Sequence, residues 1–439
     1  MDRDAKESRL PSTGSNSLNR RLYTAIGVMW ALSVVHGPKV IVSAQETRES
    51  VTLEEAFTLF GQNSPELHLA RSRLRAALGG IRQDRALPNP SMAVTHEALG
   101  GYSESYLNLT QRVDFLWETA NRGARADALG SRAQARFLAD SVRLALEVRR
   151  AYIDAWQSRE TVEAYLQSDV VMGEMLASAE ARFTEGDLAG YDLRRLRLER
   201  LQFLRRTALA ELDLEEAERR LGSFLVASDG SRRFSVEDLG MTEVSGLIEG
   251  DLVARALTNR PEIKSADSFV DALGAAAGLA KTSVLRGTSV TGGVKRQADG
   301  LEGIFIGLEL PLPVADRRKG AVDAARAEVL AAESEVDLLR RAIAQQVSLA
   351  SSRLQSAQRQ QQLLGPAGVE EAQELLAIAR LSFSEGEMRA VDVLDATRAF
   401  VEARLLEGQV QGDLWRAYFE LEQAVGGFSN ETDNGASER

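Results

Sequence analysis

One motif occurs twice in this sequence, about two hundred residues apart. The first copy runs from Phe183 to Leu193 (FTEGDLAGYDL) and the second from Phe383 to Thr397 (FSEGEMRAVDVLDAT). Both contain a phenylalanine, a Glu-Gly pair, an acidic residue and a later aspartate at the same spacing. Long helix-favouring segments flank each copy, and glycine tolerates the backbone angles that a helix end requires. The motif therefore predicts two long helical hairpins with acidic tips, at 183–193 and 383–397.

A second repeat shows that the duplication extends through most of the chain. The tetrapeptide that begins at Ser64 (SPEL) is matched by the one that begins at Arg260 (RPEI). We therefore expect a first repeat at 45–232, a linker at 233–250 and a second repeat at 251–428.

The two ends of the chain differ in composition from the repeats. Residues 1–44 have a basic flank, an apolar run from Leu22 to Val35 and small residues near Ala44, which is the pattern of a secretory signal peptide. A membrane anchor is the alternative, but the run is shorter than the ~20 residues of a spanning helix. Without cysteine in the chain, no lipid anchor through Cys is expected. Residues 429–439 are polar and predict a disordered tail.

Each repeat also contains a segment in which apolar and polar residues alternate. These segments predict β-hairpins at about 91–115, with a turn at 99–104, and at about 287–312. Strands of about ten residues with one apolar face suit a tilted crossing of a bilayer. Periodicity alone leaves a half-buried soluble hairpin equally open, whereas export and the attached long helices favour the membrane.

Helical segments of unusual length follow the predicted hairpins. Residues 120–183 contain no proline, and Gly365-Pro366 predicts a kink or restart in the second copy. Apolar residues at 3–4 spacing indicate coiled-coil packing. The predicted seam comprises Leu144, Val148, Ala151, Ala155, Val162, Tyr165, Met172, Leu176, Ala179 and Phe183, and then Val336, Ile343, Val347, Ala350, Leu354, Ala357, Leu364, Leu375 and Ile378.

The predicted fold class is mainly α with a small membrane β part: long coiled-coil helical hairpins plus two β-hairpins per chain. Four strands cannot close a barrel, and an open edge in lipid leaves backbone groups unpaired at several kcal/mol each. Several chains must therefore combine, two giving eight strands and three giving twelve.

Composition disfavours several classes of function. The formal net charge is -11 and no basic patch stands out, so no nucleic-acid partner is expected. Only three histidines and no cysteine are present, so we expect no metal site and no cofactor. No catalytic motif is found, and the chain is not expected to be an enzyme.

The chain resembles the TolC-like outer membrane efflux proteins over about 51–428, and the two tip motifs are the most specific part of this resemblance. The resemblance implies a homotrimer with a 12-stranded β-barrel on a 12-helix α-barrel, in the bacterial outer membrane with its helices in the periplasm. It also implies contacts with outer membrane lipid, a periplasmic adaptor (membrane fusion protein) and an inner-membrane resistance–nodulation–division transporter. The chain would be a passive exit duct in such a tripartite pump.

The resemblance also assigns roles to residues at the tips. It implies an acidic ring at the channel aperture from Asp392 and Asp395, and a periplasmic latch from Asp192, Phe383 and Arg389. Arg389 stands one place beyond Met388, where the family has a basic residue. The residues alone favour a solvated helix face for the two aspartates, whereas threefold repetition around a narrow opening favours the ring. The tips expected to contact the adaptor comprise Gly186, Asp187, Leu188, Gly386, Glu387 and Met388.

Two short segments, 86–90 and 310–320, resemble the branch that serves cobalt–zinc–cadmium or copper–silver pumps. Heavy-metal cations are therefore the expected substrate. Small organic compounds, or proteins of a type I secretion system, are alternatives with the same fold. A soluble periplasmic coiled-coil scaffold without a pore is the alternative of a different class.

Overall fold

The computed structural model describes residues 49–114, 116–226, 233–239, 251–283, 286–364 and 366–427. The predicted signal peptide and the predicted C-terminal tail lie outside these residues, as does the greater part of the predicted linker. The described chain is mainly helical and, as its sequence predicted, contains two antiparallel strand pairs.

The two halves of the chain contain matching elements in the same order. The first half comprises β1 (Glu49–Val51), α1 (Leu53–Asn63), α2 (Pro65–Arg85), β2 (Ser91–Leu99), β3 (Tyr102–Arg112), α3 (Leu116–Glu185) and α4 (Gly190–Leu225). The second half comprises β4 (Phe234–Val236), α5 (Leu252–Asn259), α6 (Pro261–Thr282), β5 (Ser289–Gln297), β6 (Glu302–Glu309), α7 (Lys319–Leu364), α8 (Pro366–Ser384) and α9 (Ala390–Val425). The single helix α3 thus corresponds to α7, which ends at Leu364, and α8, which begins at Pro366.

Side-chain caps form at the start of α1 and α2. The Thr52 hydroxyl accepts from the Glu55 amide at 3.2 Å, and the Thr52 amide donates to the Glu55 carboxylate at 2.9 Å. Ser64 caps α2 through the Leu67 amide at 3.3 Å. Such caps contribute about 0.5–2 kcal/mol each.

A two-stranded parallel sheet joins the halves, because β1 pairs with β4. The buried Tyr152 of α3 donates to the Val51 carbonyl at 3.0 Å and accepts from the Glu237 amide at 3.1 Å. Burial raises the pKa of this tyrosine to about 12. These strands of three residues carry no periodicity, and the sequence did not predict them.

The other sheet has four antiparallel strands in the order β2-β3-β5-β6. Gly100 and Gly101 alone connect β2 to β3, with φ of 56° and 90°. Because a Gly-Gly pair forms the tightest hairpin turn, Tyr102 to Glu104 belong to the strand. The predicted turn at 99–104 was therefore too long.

Long helices pack through several seams. Most predicted seam residues are buried, but Phe183 is 48 % exposed, and Leu364, Leu375 and Ile378 are also exposed. Those four assignments were wrong. In the second copy the helix restarts at Pro366, which shifts its apolar phase, so Leu376, Ala379 and Phe383 are buried instead.

Helix α3 has two buried stripes, which the sequence pattern did not distinguish from each other. Leu146 and Ile153 pack on Trp415 and Phe419 of α9, while Leu144 and Val148 belong to the cluster around α1, α4 and the two-stranded sheet. One helix therefore joins the two repeats. No helix in the described ranges is long and apolar enough to cross a membrane.

Candidate functional site

Both hairpin tips turn at the glycines of the repeated motif. Gly186 has φ 90° and Gly386 has φ 85°, a region that side-chain-bearing residues rarely adopt. At the first tip, Asp187 N–H donates to the Arg182 carbonyl at 2.9 Å and Gly186 N–H to the Phe183 carbonyl at 3.2 Å. The second tip repeats both bonds, from Glu387 to Ser382 and from Gly386 to Phe383. This pair of bonds is the Schellman motif, which satisfies the last carbonyls of a helix.

A single apolar cluster holds the two tips together. It combines buried side chains of α3, α4, α8 and α9, including Met172, Met175, Leu196, Phe203, Phe383, Leu394 and Phe400. Leu188 and Met388 from the two turns pack against it, whereas Gly186, Asp187, Gly386 and Glu387 are exposed. The exposed part of each tip is therefore small and polar.

The two phenylalanines of the motif occupy different environments. Phe383 is 1 % exposed, and Phe183 is 48 % exposed. The Arg182 side chain reaches from the first tip to the second and donates to the Phe383 carbonyl at 2.9 Å. Its guanidinium carbon also lies 5.1 Å from the centroid of the Phe383 ring. Arg182 therefore connects the hairpins within one chain.

Arg389 pairs with Asp392 of its own hairpin. Its guanidinium donates two hydrogen bonds of 3.0 Å to the carboxylate, with the side chains 80 % and 39 % exposed. These bonds lower the pKa of Asp392, and they raise the pKa of Arg389. Asp192 lies in the first turn of α4 and adds a smaller electrostatic influence that also raises the Arg389 pKa.

Asp395 belongs to a network that crosses between hairpins. Arg398 donates to Asp395 at 3.4 Å and to the Glu199 carboxylate at 2.7 and 3.1 Å. The Glu199 side chain is only 9 % exposed, while Asp395 is 66 % exposed. Both aspartates predicted for the aperture thus have an arginine neighbour in this chain, which reduces the negative potential that either projects alone.

Sequence reasoning missed Arg182, Glu199 and Arg398. Glu199 carried a usable signal, because it lies three residues after Leu196 and four before Phe203, on the buried stripe of α4. A carboxylate on such a stripe requires a partner. For Arg182 no comparable signal exists, since its partner is a backbone carbonyl two hundred residues away.

The four-stranded sheet carries apolar rows on one face. In the observed register Val94, Leu107, Val294 and Ile304 form one row across all four strands, and Met92, Leu109, Gly292 and Ile306 form the next. The side chains of Ile304 and Ile306 are both 82 % exposed. Exposed apolar rows of this extent indicate a surface that contacts a membrane or another protein.

The opposite face of the sheet is mainly polar. Lys295 pairs with Glu104 at 2.8 Å, and the Tyr106 hydroxyl also donates to this carboxylate. Among the residues that the structure describes, the two edge strands, β2 and β6, each have one neighbour. In the described ranges, no group of three or more Asp, Glu or His side chains is arranged to hold a metal ion.

Comparisons with known proteins agree with this architecture. The family described as outer membrane efflux protein matches residues 252–427. The cobalt-zinc-cadmium resistance protein CzcC of Cupriavidus metallidurans is 24% identical over 410 residues, which cover 88% of this chain and 93% of that protein.

Solved structures of outer membrane channels share the fold. The CmeC outer membrane channel of Campylobacter jejuni has a TM-score of 0.72 at 16% identity, with 85% of both chains covered. CusC has a TM-score of 0.67 at 18% identity, covering 86% of this chain and 92% of its own. The resemblance to TolC-like outer membrane efflux proteins, and to a heavy-metal resistance protein among them, is confirmed.

Proposed function

We propose that this chain, which resembles the outer membrane efflux proteins, is the exit duct of a tripartite efflux pump. Three copies would close their four-stranded sheets into one twelve-stranded barrel, with the helical hairpins forming a hollow cylinder below it. The duct itself would be passive, because no catalytic constellation stands out in the sequence.

The sheet carries this proposal. Its apolar rows cross every strand, its other face is mainly polar, and among the described residues neither edge strand has a second neighbour. An isolated sheet of this kind is unfavourable in water because of its apolar face. It is also unfavourable in lipid because each unpaired backbone group costs several kcal/mol. Closure with sister subunits removes both costs and leaves the polar face towards a lumen.

The comparisons support the partners and the substrate that we propose. The exposed tips would meet a periplasmic adaptor, which couples the duct to an inner-membrane proton-driven transporter of the resistance–nodulation–division type. Similarity to a cobalt-zinc-cadmium resistance protein supports divalent heavy-metal cations as the substrate. The chain would reach the outer membrane through its N-terminal signal peptide.

The tips would form the periplasmic mouth. We assign Asp392 and Asp395 to an acidic ring at its narrowest part, with Asp192, Phe383 and Arg389 holding the closed arrangement. Three or six carboxylates around a narrow opening focus a negative potential even when arginines are nearby.

Export assays test the proposed function. The full-length gene, expressed with a cobalt–zinc–cadmium pump and adaptor in a strain without their own outer membrane channel, should restore resistance to these cations. A chain without residues 180–195 and 380–397 should reach the membrane but restore nothing. A fully soluble periplasmic product would instead support the scaffold alternative, and restored resistance to organic compounds alone would exclude metal cations.

The acidic ring is tested separately in planar bilayers. Replacing Asp392 and Asp395 by Ala should lower the preference for cations over anions and weaken block by divalent cations. As a control, the same change at exposed Asp337 of α7 should have no effect. Unchanged selectivity in the double variant would exclude these residues from the aperture.

A further inference from the structure

The connection between β6 and α7 is longer than its counterpart in the first repeat. Residues 310–318 join β6 to α7, whereas 113–115 join β3 to α3. The extra residues are not required to connect a strand to a helix, since the first repeat does so with three. Their sequence, LPLPVADRR, combines aliphatic side chains with cations.

The apolar face of β6 continues into this connection. Leu308, Leu310, Leu312 and Val314 alternate along the chain and are 70%, 46%, 74% and 80% exposed. The paired part of β6 has eight residues. At ~3.3 Å per residue and a tilt of 35–45°, such a strand covers roughly 20 Å, short of the ~25 Å apolar band of outer-membrane barrels. Leu310 and Leu312 supply the missing length, which puts Val314 near the edge of the band.

Local hydrogen bonds give the connection a defined conformation. The Val314 amide donates to the Leu312 carbonyl at 2.9 Å across Pro313. The Arg318 amide donates to the Asp316 carboxylate at 2.7 Å. Arg318 itself has φ 57° and is the one residue other than glycine with positive φ in the described ranges. A long side chain in this region is uncommon and indicates a constraint beyond simple connection.

Three consecutive cations follow the aliphatic residues. Arg317, Arg318 and Lys319 are exposed, in a chain whose net charge is -11. Arg318 lies 3.9 Å from Asp316, but in the part of the chain that the structure describes no acidic side chain pairs with Arg317 or Lys319. Aliphatic side chains at the edge of an apolar band, followed after Asp316 by three cations of which Arg317 and Lys319 have no acidic partner in the described residues, match the charge and polarity order of a bilayer surface with anionic headgroups.

We propose that residues 312–319 form a binding surface for anionic phospholipid at the helix-proximal edge of the bilayer. Leu312 and Val314 would enter the acyl-chain boundary, and Arg317 and Lys319 would contact headgroup phosphates. This inference rests on the proposed function, because it takes the apolar face of the sheet to lie in lipid. It adds that the connection selects anionic over zwitterionic lipid and fixes the depth of the channel in the membrane.

Native mass spectrometry of the intact, detergent-purified assembly tests this inference. The probes are phosphatidylglycerol and phosphatidylcholine with identical acyl chains, and the readout is the ratio of their apparent dissociation constants. We expect Arg317→Gln with Lys319→Gln to reduce the preference for phosphatidylglycerol by ~5-fold for each cation removed, the contribution of a basic residue near an anionic surface. The matched control, Arg341→Gln with Arg359→Gln, removes two exposed cations of α7 and should leave the ratio unchanged.

Additional measurements distinguish a failure of this inference from a failure of the proposed function. Leu312→Ser with Val314→Ser should weaken binding of both lipids and preserve their ratio. Soluble glycerol phosphate should not displace phosphatidylglycerol; displacement would indicate a simple anion site and overturn the proposal. An assembly that conducts in neutral bilayers yet shows no lipid preference would overturn this inference alone, whereas absence of assembly and conductance would overturn the proposed function.

Discussion

Arg182 is the residue that most directly links the two hairpin tips within one chain. Its replacement by Ala would leave the Phe383 carbonyl with the Gly386 amide as its remaining donor and remove the cation above the ring. A partly exposed bond of this kind contributes about 1 kcal/mol, so amides at 383–389 should exchange hydrogen roughly 5-fold faster. Arg194→Ala, which removes an exposed cation of α4, is the control and should leave the exchange rates of these amides unchanged. Equal rates in wild type and the Arg182 variant would show that the contact does not hold the tip.

The Asp392–Arg389 pair gives the second tip a defined acid response. Arg389 lowers the Asp392 pKa below its ordinary value of 3.8, so the pair contributes stability that is complete above that value. This contribution is lost as pH falls through the lower, folded-state pKa. Exchange at 386–392, corrected for intrinsic rates, should therefore be constant from neutral pH to about pH 5 and rise only in stronger acid. The Asp392→Asn variant should lack this acid-induced rise, and a rise near neutral pH in wild type would contradict the assignment.

For single residues at the tips, the sequence predicted the positions of the turns but not which side chains pair. The repeated Glu-Gly identified both turns because positive φ strongly favours glycine. The latch of Arg389 with Asp192 stays a proposal, whereas the two hydrogen bonds that Arg389 makes within the chain, to Asp392 three residues along the same hairpin, were not predicted. Pairing among several charges near one another depends on side-chain directions that spacing does not specify.

Among the elements, the four-stranded sheet makes the clearest prediction. Ile306 lies in an apolar row, while Thr291 on the neighbouring strand belongs to the opposite face. Ile306→Lys should destabilise the membrane-inserted state by about 2–4 kcal/mol, the cost of a cation near the middle of the lipid-facing surface. Thr291→Lys carries the same charge on the polar face and should be tolerated. Measured by refolding into lipid vesicles, equal effects of the two substitutions would contradict the assignment of faces.

Element prediction succeeded where a periodic pattern ran unbroken. Alternation identified both hairpins of this sheet, and 3–4 spacing identified most of the buried stripe of α3. It failed after Pro366, because a helix restart resets the phase and places Leu375 and Ile378 outside the core. It also missed β1 and β4, since three residues per strand are too few to display a period.

For the whole molecule, the two repeats form one folded unit through α3 and α9, and the tips share one apolar cluster. The duplication was visible from short motifs because tip turns and helix starts tolerate few sequences. The number of chains in the assembly does not follow from one chain's pattern. Under the proposed function the edges of β2 and β6 pair with sister subunits, and the family resemblance supplies the number three.

The stoichiometry of the purified assembly tests the central claim most directly. The protein should be extracted from outer membranes by detergent, and its mass measured after correction for bound detergent. We predict three copies per particle, stable until heated, and single-channel currents from the same fraction in planar bilayers. A monodisperse monomer that remains in solution without detergent would contradict the barrel, the duct and the export function together.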